Sequence, residues 1–463
     1  MRRILKLISI FLSLVPEKLL EALCAGLGGA FYRFSKKRRR IILSNLSHAF
    51  PEKPLAELEK IGKTSCVRMV EMSLLSFCAG QFSEKRVKRS LEVSESAQTF
   101  FKSKSDAARP VVYLVPHFTL MEMQPWLKTV VPSEQKNEII CIYRSLNQQA
   151  LEEHIKASRE KHGTHFRARK EGFVECIQCL RRGGQVSILF DQNTRTSGGL
   201  VLFMGRLCAA TDLPSILAKK FRAEIRVIWV ERRSFWRGAL QVEQLPEEWA
   251  TSPEKLTAGI QIWLENQMRS RPEIIPDWLW SHNRWRTESS PEKRFSLENK
   301  KVWLDTSAEL MGAASISRET RVVMRLPTQV DWVTALASVL QKIRAARPDM
   351  AFWMMGNAET LALDSIKEMT DRSFPVDTSQ DAEATIQSLA SLFPDTICDW
   401  QPHSNLHDIW DSSGCQQIFG WAPKSGGTAS YTHTVALETA VESPEQFQEA
   451  CLRFAAQFGL QID

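Results

Sequence analysis

His117 and Glu122 stand five residues apart in the stretch Pro-Val-Val-Tyr-Leu-Val-Pro-His-Phe-Thr-Leu-Met-Glu, residues 110–122. An imidazole can take a proton from a hydroxyl near neutral pH, and a carboxylate can hold that imidazole in the useful tautomer. Together they supply the base and orienter of a serine protease triad, with the nucleophile left to be a substrate hydroxyl. His-x4-Glu spacing serves this purpose when the residue after His117 opens a helix, because about one turn brings the carboxylate back beside the ring. The same spacing also fits a strand-end histidine and an unrelated glutamate on a helix surface.

The elements that would position these residues are legible. Residues 111–115, Val-Val-Tyr-Leu-Val, form a β-branched and aromatic run that predicts a buried strand. Pro116 cannot donate to a ladder, so His117 falls at the strand's carboxyl end. Residues 138–143 predict a second strand and 185–190 a third, with helices over 53–82, 151–162 and 173–180. Gly163 and Gly183-Gly184 close two of these helices. Asp191, Gln192 and Asn193 follow the third strand, at the end where α/β sheets place their chemistry. A helix over 214–223 and a strand over 225–230 continue the alternation, which predicts an α/β sandwich.

Charge divides the 463 residues unevenly. Residues 297–463 hold 12 Lys/Arg against 22 Asp/Glu, whereas 1–296 hold 48 against 31. Two bodies with different partners follow from that asymmetry. A basic body suits an anionic membrane surface, an acidic carrier protein or nucleic acid, and the last has no reader motif to support it. The ten cysteines show no framework spacing, and Cys176-x-x-Cys179 lies in a helical pattern without a second pair. This fits packed thiols in a reducing compartment.

At the N-terminus, Arg2-Arg3 precedes an apolar run to Val15, Pro16 interrupts, and a second apolar stretch runs to Phe34. Neither offers the ~20 uninterrupted apolar residues of a spanning helix. The break at Pro16-Glu17-Lys18 argues against a cleaved leader. Amphipathic helices followed by the basic run Lys36-Lys37-Arg38-Arg39-Arg40 predict an interfacial anchor on an anionic membrane.

In this order, the landmarks over roughly residues 1–290 resemble the lipid A late acyltransferase family. Arg38-Arg39-Arg40 with Asn45-Leu46 and Phe50-Pro51-Glu52 is similar to its N-terminal signature. His117-Phe118 with Glu122 resembles its catalytic block, written Gly-His-Phe-Gly-Asn-Trp-Glu. Tyr143-Arg144 with Asn147, then Arg159, Asp191-Gln192, Phe203-Met204-Gly205 and Thr211 match later landmarks. The most specific is Arg271-Pro272-Glu273 with Trp278-Leu279-Trp280-Ser281-His282-Asn283-Arg284-Trp285. Pro116 and Thr119-Leu120-Met121 depart from the Gly-flanked pattern, which points to a different acceptor or acyl chain.

The resemblance implies a lysophospholipid-acyltransferase-like α/β sandwich with a membrane-associated N-terminal helix. It implies transfer of a fatty acyl group from a thioester to a hydroxyl of a lipid A precursor or related glycolipid. His117 would be the general base and Glu122 its orienter. Backbone N–H groups after His117 and Arg159 are candidates for the oxyanion, and Asp191 with Gln192 would bind the acceptor. Asp191 also fits a helix cap. Arg144, Arg169 and Lys170 would meet phosphates of the acceptor or of acyl carrier protein, the favoured donor. The reaction calls for no metal and no cofactor, and His162/His165 and His403/His407 lack ligand partners at metal spacing. The place expected is the cytoplasmic face of the cell inner membrane.

Residues 287–300 read as a linker between an acyltransferase domain (36–290, after membrane-associating helices over 1–35) and a body over 301–463. Residues 321–327, 333–346 and 351–356 predict a βαβ unit, hence a Rossmann-like α/β domain. Its opening Arg321-Val-Val-Met-Arg-Leu-Pro, with Phe393-Pro394-Asp395, Trp400 and Phe419-Gly420-Trp421, resembles the acceptor-side half of heptosyltransferase-like (GT-B) glycosyltransferases. Asp331 stands near that family's acidic residue without the preceding Gly, so this half is expected to transfer no sugar alone. Two rival readings fit the same sequence. One is acylation of another lipid, such as a phospholipid, an ornithine lipid or a phosphoinositide mannoside. The other is a non-catalytic scaffold for envelope enzymes.

Overall fold

The apolar runs become strands within a residue or two of their expected ends, except that the strand expected over 225–230 runs on to Ser234. In the computed structural model the described residues are 1–103, 109–131, 138–194, 198–285, 301–312, 318–402, 404, 406, 409–415, 417–421, 433–435 and 443–456, with backbone alone at 103, 169–171, 301, 302, 304, 433 and 435. The linker expected at 287–300 lies outside them. The chain divides into two units: Met1–Leu46, Phe50–Val201 and Cys208–Arg284 form the first, and Ser47–Ala49, Leu202–Leu207 and Trp285–Asp463 the second.

The first unit opens with four helices, α1 (Arg2–Leu14), α2 (Glu17–Phe34), α3 (Lys36–Ala49) and α4 (Leu55–Cys78). None of the described helices is long and apolar enough to cross a membrane. Helix α2 packs against α4 at Gly28, where an added Cβ would fall 2.5 Å from the Val67 Cα. Only glycine permits that approach.

A seven-stranded sheet follows, from β1 (Leu91–Val93), β2 (Val111–Val115), β3 (Ile139–Tyr143), β4 (Thr164–Ala168) and β5 (Gln185–Leu189), then β8 (Glu224–Ser234) and β9 (Arg237–Gln244). Between β5 and β8 lies a separate hairpin, β6 (Gly199–Phe203) and β7 (Arg206–Ala210). The sheet order is β1-β9-β8-β2-β5-β3-β4, and only β8 and β9 run antiparallel. Strand β2 lies in the interior of this sheet, buried at all five positions. Such burial contributes about 2 kcal/mol for each Val or Leu side chain.

The segment after His117 departs from expectation. No α-helix opens at Phe118; that residue makes an isolated antiparallel bridge with Trp278. A 3₁₀ helix, Met121–Trp126, follows. The Met121 N–H donates to Phe118 O, the Met123 N–H to Leu120 O and the Leu127 N–H to Gln124 O, all three-residue steps, and Pro125 inside the last of them has no N–H to give.

The second unit contains β10 (Thr320–Arg325), β11 (Met350–Gly356), β12 (Arg372–Pro375), β13 (Thr396–Asp399), β14 (Ile418–Trp421) and β15 (His433–Val435). All pair in parallel in the order β12-β11-β10-β13-β14-β15. This is the doubly wound order of a Rossmann-like sheet. The amphipathic helix Val330–Ala346 makes the βαβ crossover from β10 to β11.

Candidate active site

Strands β2 and β5 are parallel neighbours, with Val115 opposite Leu189. His117 and Asp191 each follow that register pair by two residues, so they leave the sheet side by side. The His117 Nδ1 lies 2.5 Å from Asp191 Oδ1, and the His117 backbone N–H donates to Asp191 Oδ2 at 2.8 Å. The Trp278 indole N–H gives Asp191 its third bond, to Oδ2 at 2.7 Å. Asp191 is 1% exposed. Burial opposes its charge, but His117 and these three donors outweigh it and hold the carboxyl below its ordinary value. An ionised Asp191 accepts the Nδ1 proton, which leaves Nε2 as the basic nitrogen of a neutral ring.

Glu122 does not hold His117, contrary to the spacing argument. Its carboxylate takes a two-pronged bond from Arg159, from Nε at 2.8 Å and from Nη2 at 2.5 Å. Without an α-helical turn after His117, the carboxylate is not carried back toward the imidazole, and helix Gln149–Glu160 supplies a guanidinium instead. Arg159 lies over the rings of Phe166 and Tyr143, at 5.3 and 5.9 Å. Burial alone would weaken the Arg159 charge; the Glu122 carboxylate more than restores it.

The segment 277–284 fastens both strand-end loops. Thr119 Oγ1 lies 3.2 Å from the backbone oxygen and from Oδ1 of Asp277, and Arg68 of α4 reaches the same Oδ1 at 3.2 Å. Burial pushes the Asp277 carboxyl up to about 6 against the opposing pull of Arg68 and Arg232. Ser65 of α4 donates to Trp278 O, and Asn45 of α3 donates to Trp280 O and His282 O. His282 Nε2 accepts the Asn193 N–H at 3.0 Å. Burial, with Arg284 and His117 alongside, lowers that imidazole to about 4, so it stays neutral.

His117, Glu122 and Arg159 open onto one cavity of 580 Å³. Its walls are largely apolar, among them Met72, Phe77, Leu127, Ile139, Leu151 and Ile155. A largely apolar cavity with a few convergent polar groups is the form of a small-molecule site. Gln192 and the exposed Arg144 also line it, Arg144 at the loop after β3. The side chains of Arg169 and Lys170 lie outside the described residues, as do His403 and His407. Two backbone donors expected for an oxyanion are engaged elsewhere: the Phe118 N–H donates to Pro116 O, and the Met121 N–H to Phe118 O. Among the described residues no cluster of three or more metal-ligating side chains occurs. Cys176 and Cys179 are buried, and burial pushes their thiols up to about 12 and about 11. In the sequence Trp278 and His282 stand only as landmarks of the resemblance, with no role assigned to either. The sequence puts Asp191 at a strand end, as it does His117, but carries no mark that these two strands are neighbours.

Residues 4–287 match the family profile described as bacterial lipid A biosynthesis acyltransferase. No curated protein matches the chain. Among solved structures, the chain is similar to the glycosyl transferase family 9 protein from Veillonella parvula, at 12% identity over 32% of this chain and 43% of that one, with a TM-score of 0.25. It is also similar to the E. coli heptosyltransferase WaaC with ADP-2-deoxy-2-fluoro heptose, at 16% identity over 31% of this chain and 50% of that one, again at 0.25. The chain thus spans half or less of the length of these structures.

Proposed function

Because the chain belongs to the bacterial lipid A biosynthesis acyltransferase family, we propose that it moves a fatty acyl group from a thioester to a hydroxyl of lipid A precursor or a closely related glycolipid. The observation that carries this reading is the His117–Asp191 pair at a 580 Å³ apolar cavity. The acceptor O–H gives its proton to His117 Nε2 as the oxygen attacks the thioester carbonyl carbon. The resulting oxyanion faces Arg159, aimed by Glu122. Collapse breaks the C–S bond, and the leaving sulfur takes the proton back from His117. Asp191 fixes the ring and stabilises the imidazolium in between. Gln192 and Arg144 would meet the acceptor or the carrier, and acyl carrier protein remains the favoured donor. A lysophospholipid-acyltransferase-like sandwich and seating on the cytoplasmic face of the inner membrane belong to the same proposal.

The membrane reading is supported by α1 and α2. Ile4, Leu7, Ile8, Phe11 and Leu14 form one exposed stripe on α1, and Leu19, Leu23, Leu27 and Phe34 another on α2. Arg2, Arg3 and Lys6 stand at one end of the pair, and Arg33, Lys36, Lys37 and Arg38 at the other. Exposed apolar stripes with basic flanks fit helices lying in an anionic bilayer surface.

The test is acyl transfer by the purified full chain in detergent, scored by mass spectrometry. Under-acylated lipid A and a control phospholipid would each be offered acyl carrier protein and coenzyme A thioesters. A gain of one acyl chain on lipid A, absent in His117→Ala, is the expected result. Gain on the phospholipid alone would replace the substrate, and no transfer from any pairing would overturn the enzyme reading in favour of a scaffold.

A further inference from the structure

We propose that Trp278 is a positioning residue for the catalytic base, its indole N–H setting the proton affinity of the His117–Asp191 pair through the far oxygen of Asp191. This rests on the reading of His117 as the base. The geometry is specific. Asp191 Oδ1 serves the imidazole, while Oδ2 takes the Trp278 indole at 2.7 Å and the His117 backbone N–H at 2.8 Å. Trp278 is itself fixed on three sides: its backbone bridges Phe118, its carbonyl accepts from Ser65, and its ring packs edge-on against Trp280 at 4.7 Å. The donor therefore cannot swing away without moving the segment that also carries His282 to Asn193.

A hydrogen bond to a buried charge removes negative potential from the oxygen that receives it. With Trp278 in place, Asp191 attracts the imidazolium less strongly, so the ring gives up its proton more readily and remains a competent base at lower pH. Without that donor, Asp191 leans on His117 alone, and the protonated pair becomes more stable. The charged and titratable groups around the pair are His282 and Arg284 on the same segment, Asp277 at its start with Arg68 of α4, and Glu122 with Arg159 in the cavity. Among the described residues none of these side chains donates to Asp191, so the indole is the adjustable contact.

The experiment compares Trp278→Phe with Trp280→Phe. The Trp280 indole donates to Ile275 O at 2.6 Å, so its loss removes a comparable aromatic bond without touching Asp191. The first readout is the ¹⁵N NMR titration of the His117 imidazole in the full chain, which needs neither acyl donor nor acceptor. The second is the acid limb of the kcat/KM profile. Trp278→Phe should move the midpoint up by about one pH unit, and Trp280→Phe should leave it in place. Equal movement in both variants, or none in Trp278→Phe, would overturn the proposal even if acyl transfer is fully established. Movement in the NMR titration with no acyl transfer would uphold the tuning and reject the reaction. Should Trp278→Phe fail to fold, 3-benzothienylalanine at 278 keeps the bicyclic ring and removes only the N–H, and the same shift is expected.

Discussion

Asp191 Oδ1 and His117 Nδ1 lie 2.5 Å apart because two parallel strands stop in register, Val115 opposite Leu189. If Asp191 holds the tautomer, Asp191→Asn should lower kcat by about 10²–10⁴ with little change in KM. His117→Ala should be at least as severe. Steady-state kinetics on the acceptor that proves active checks this, and a variant retaining near-normal kcat would remove Asp191 from the mechanism.

Glu122 and Arg159 make a separate, mostly buried pair, with side chains 6% and 18% exposed. Glu122→Gln leaves the guanidinium without its counter-charge and should cost about 3 kcal/mol of stability. Replacing both partners, as Glu122→Leu with Arg159→Met, should cost far less, because no charge is stranded. Thermal unfolding of the singles and the double gives the coupling. Additive losses would show that the two side chains act independently.

On α1, Phe11 and Ile8 are 67% and 44% exposed. Phe11→Glu and Ile8→Glu should leave the melting temperature unchanged and reduce sedimentation with anionic vesicles. Neutralising Lys36, Lys37 and Arg38 together should weaken vesicle binding by about 100-fold at low salt, at roughly 1 kcal/mol for each charge. Binding insensitive to both sets would place the membrane contact elsewhere.

Acid should loosen the first unit through His282. Its folded-state value is lowered to about 4, below that of an exposed histidine. Between pH 6.5 and 4 the unfolded chain therefore binds a proton that the folded chain refuses, and stability falls as pH falls. From pH 7.5 to 5 this one group removes about 2 kcal/mol. His282→Gln can still accept the Asn193 N–H and should lose correspondingly less in urea unfolding at the two pH values. His48 in the second unit, also lowered to about 4, acts in the same direction and is untouched by that variant.

Much of the scaffold was legible from local pattern. Pro116 marked the end of β2, Gly163 and Gly183 take positive φ at the helix ends, and the two N-terminal apolar stretches became separate helices at Pro16. The partner of His117 was not legible, because helical spacing is informative only if a helix forms. Phe118 pairs with Trp278 first, and Pro125 keeps the following turns at 3₁₀ geometry. The true partner arrives from a neighbouring strand, and strand adjacency leaves no local mark. The inclusion of Ser47–Ala49 and Leu202–Leu207 in the second unit was hidden for the same reason.

The three residues hydrogen-bonded through Asp191 are far apart along the chain: Asp191 lies 74 residues after His117, and Trp278 a further 87 after Asp191. Chain closure over such spans is slow relative to local helix formation. During synthesis, β2 and its histidine emerge long before the carboxylate, and the carboxylate long before the indole. Helices α1 to α4 can therefore form while His117 has neither partner, and the hydrogen-bonded cluster is complete only after the segment 277–284 has been made and closed over the strand ends.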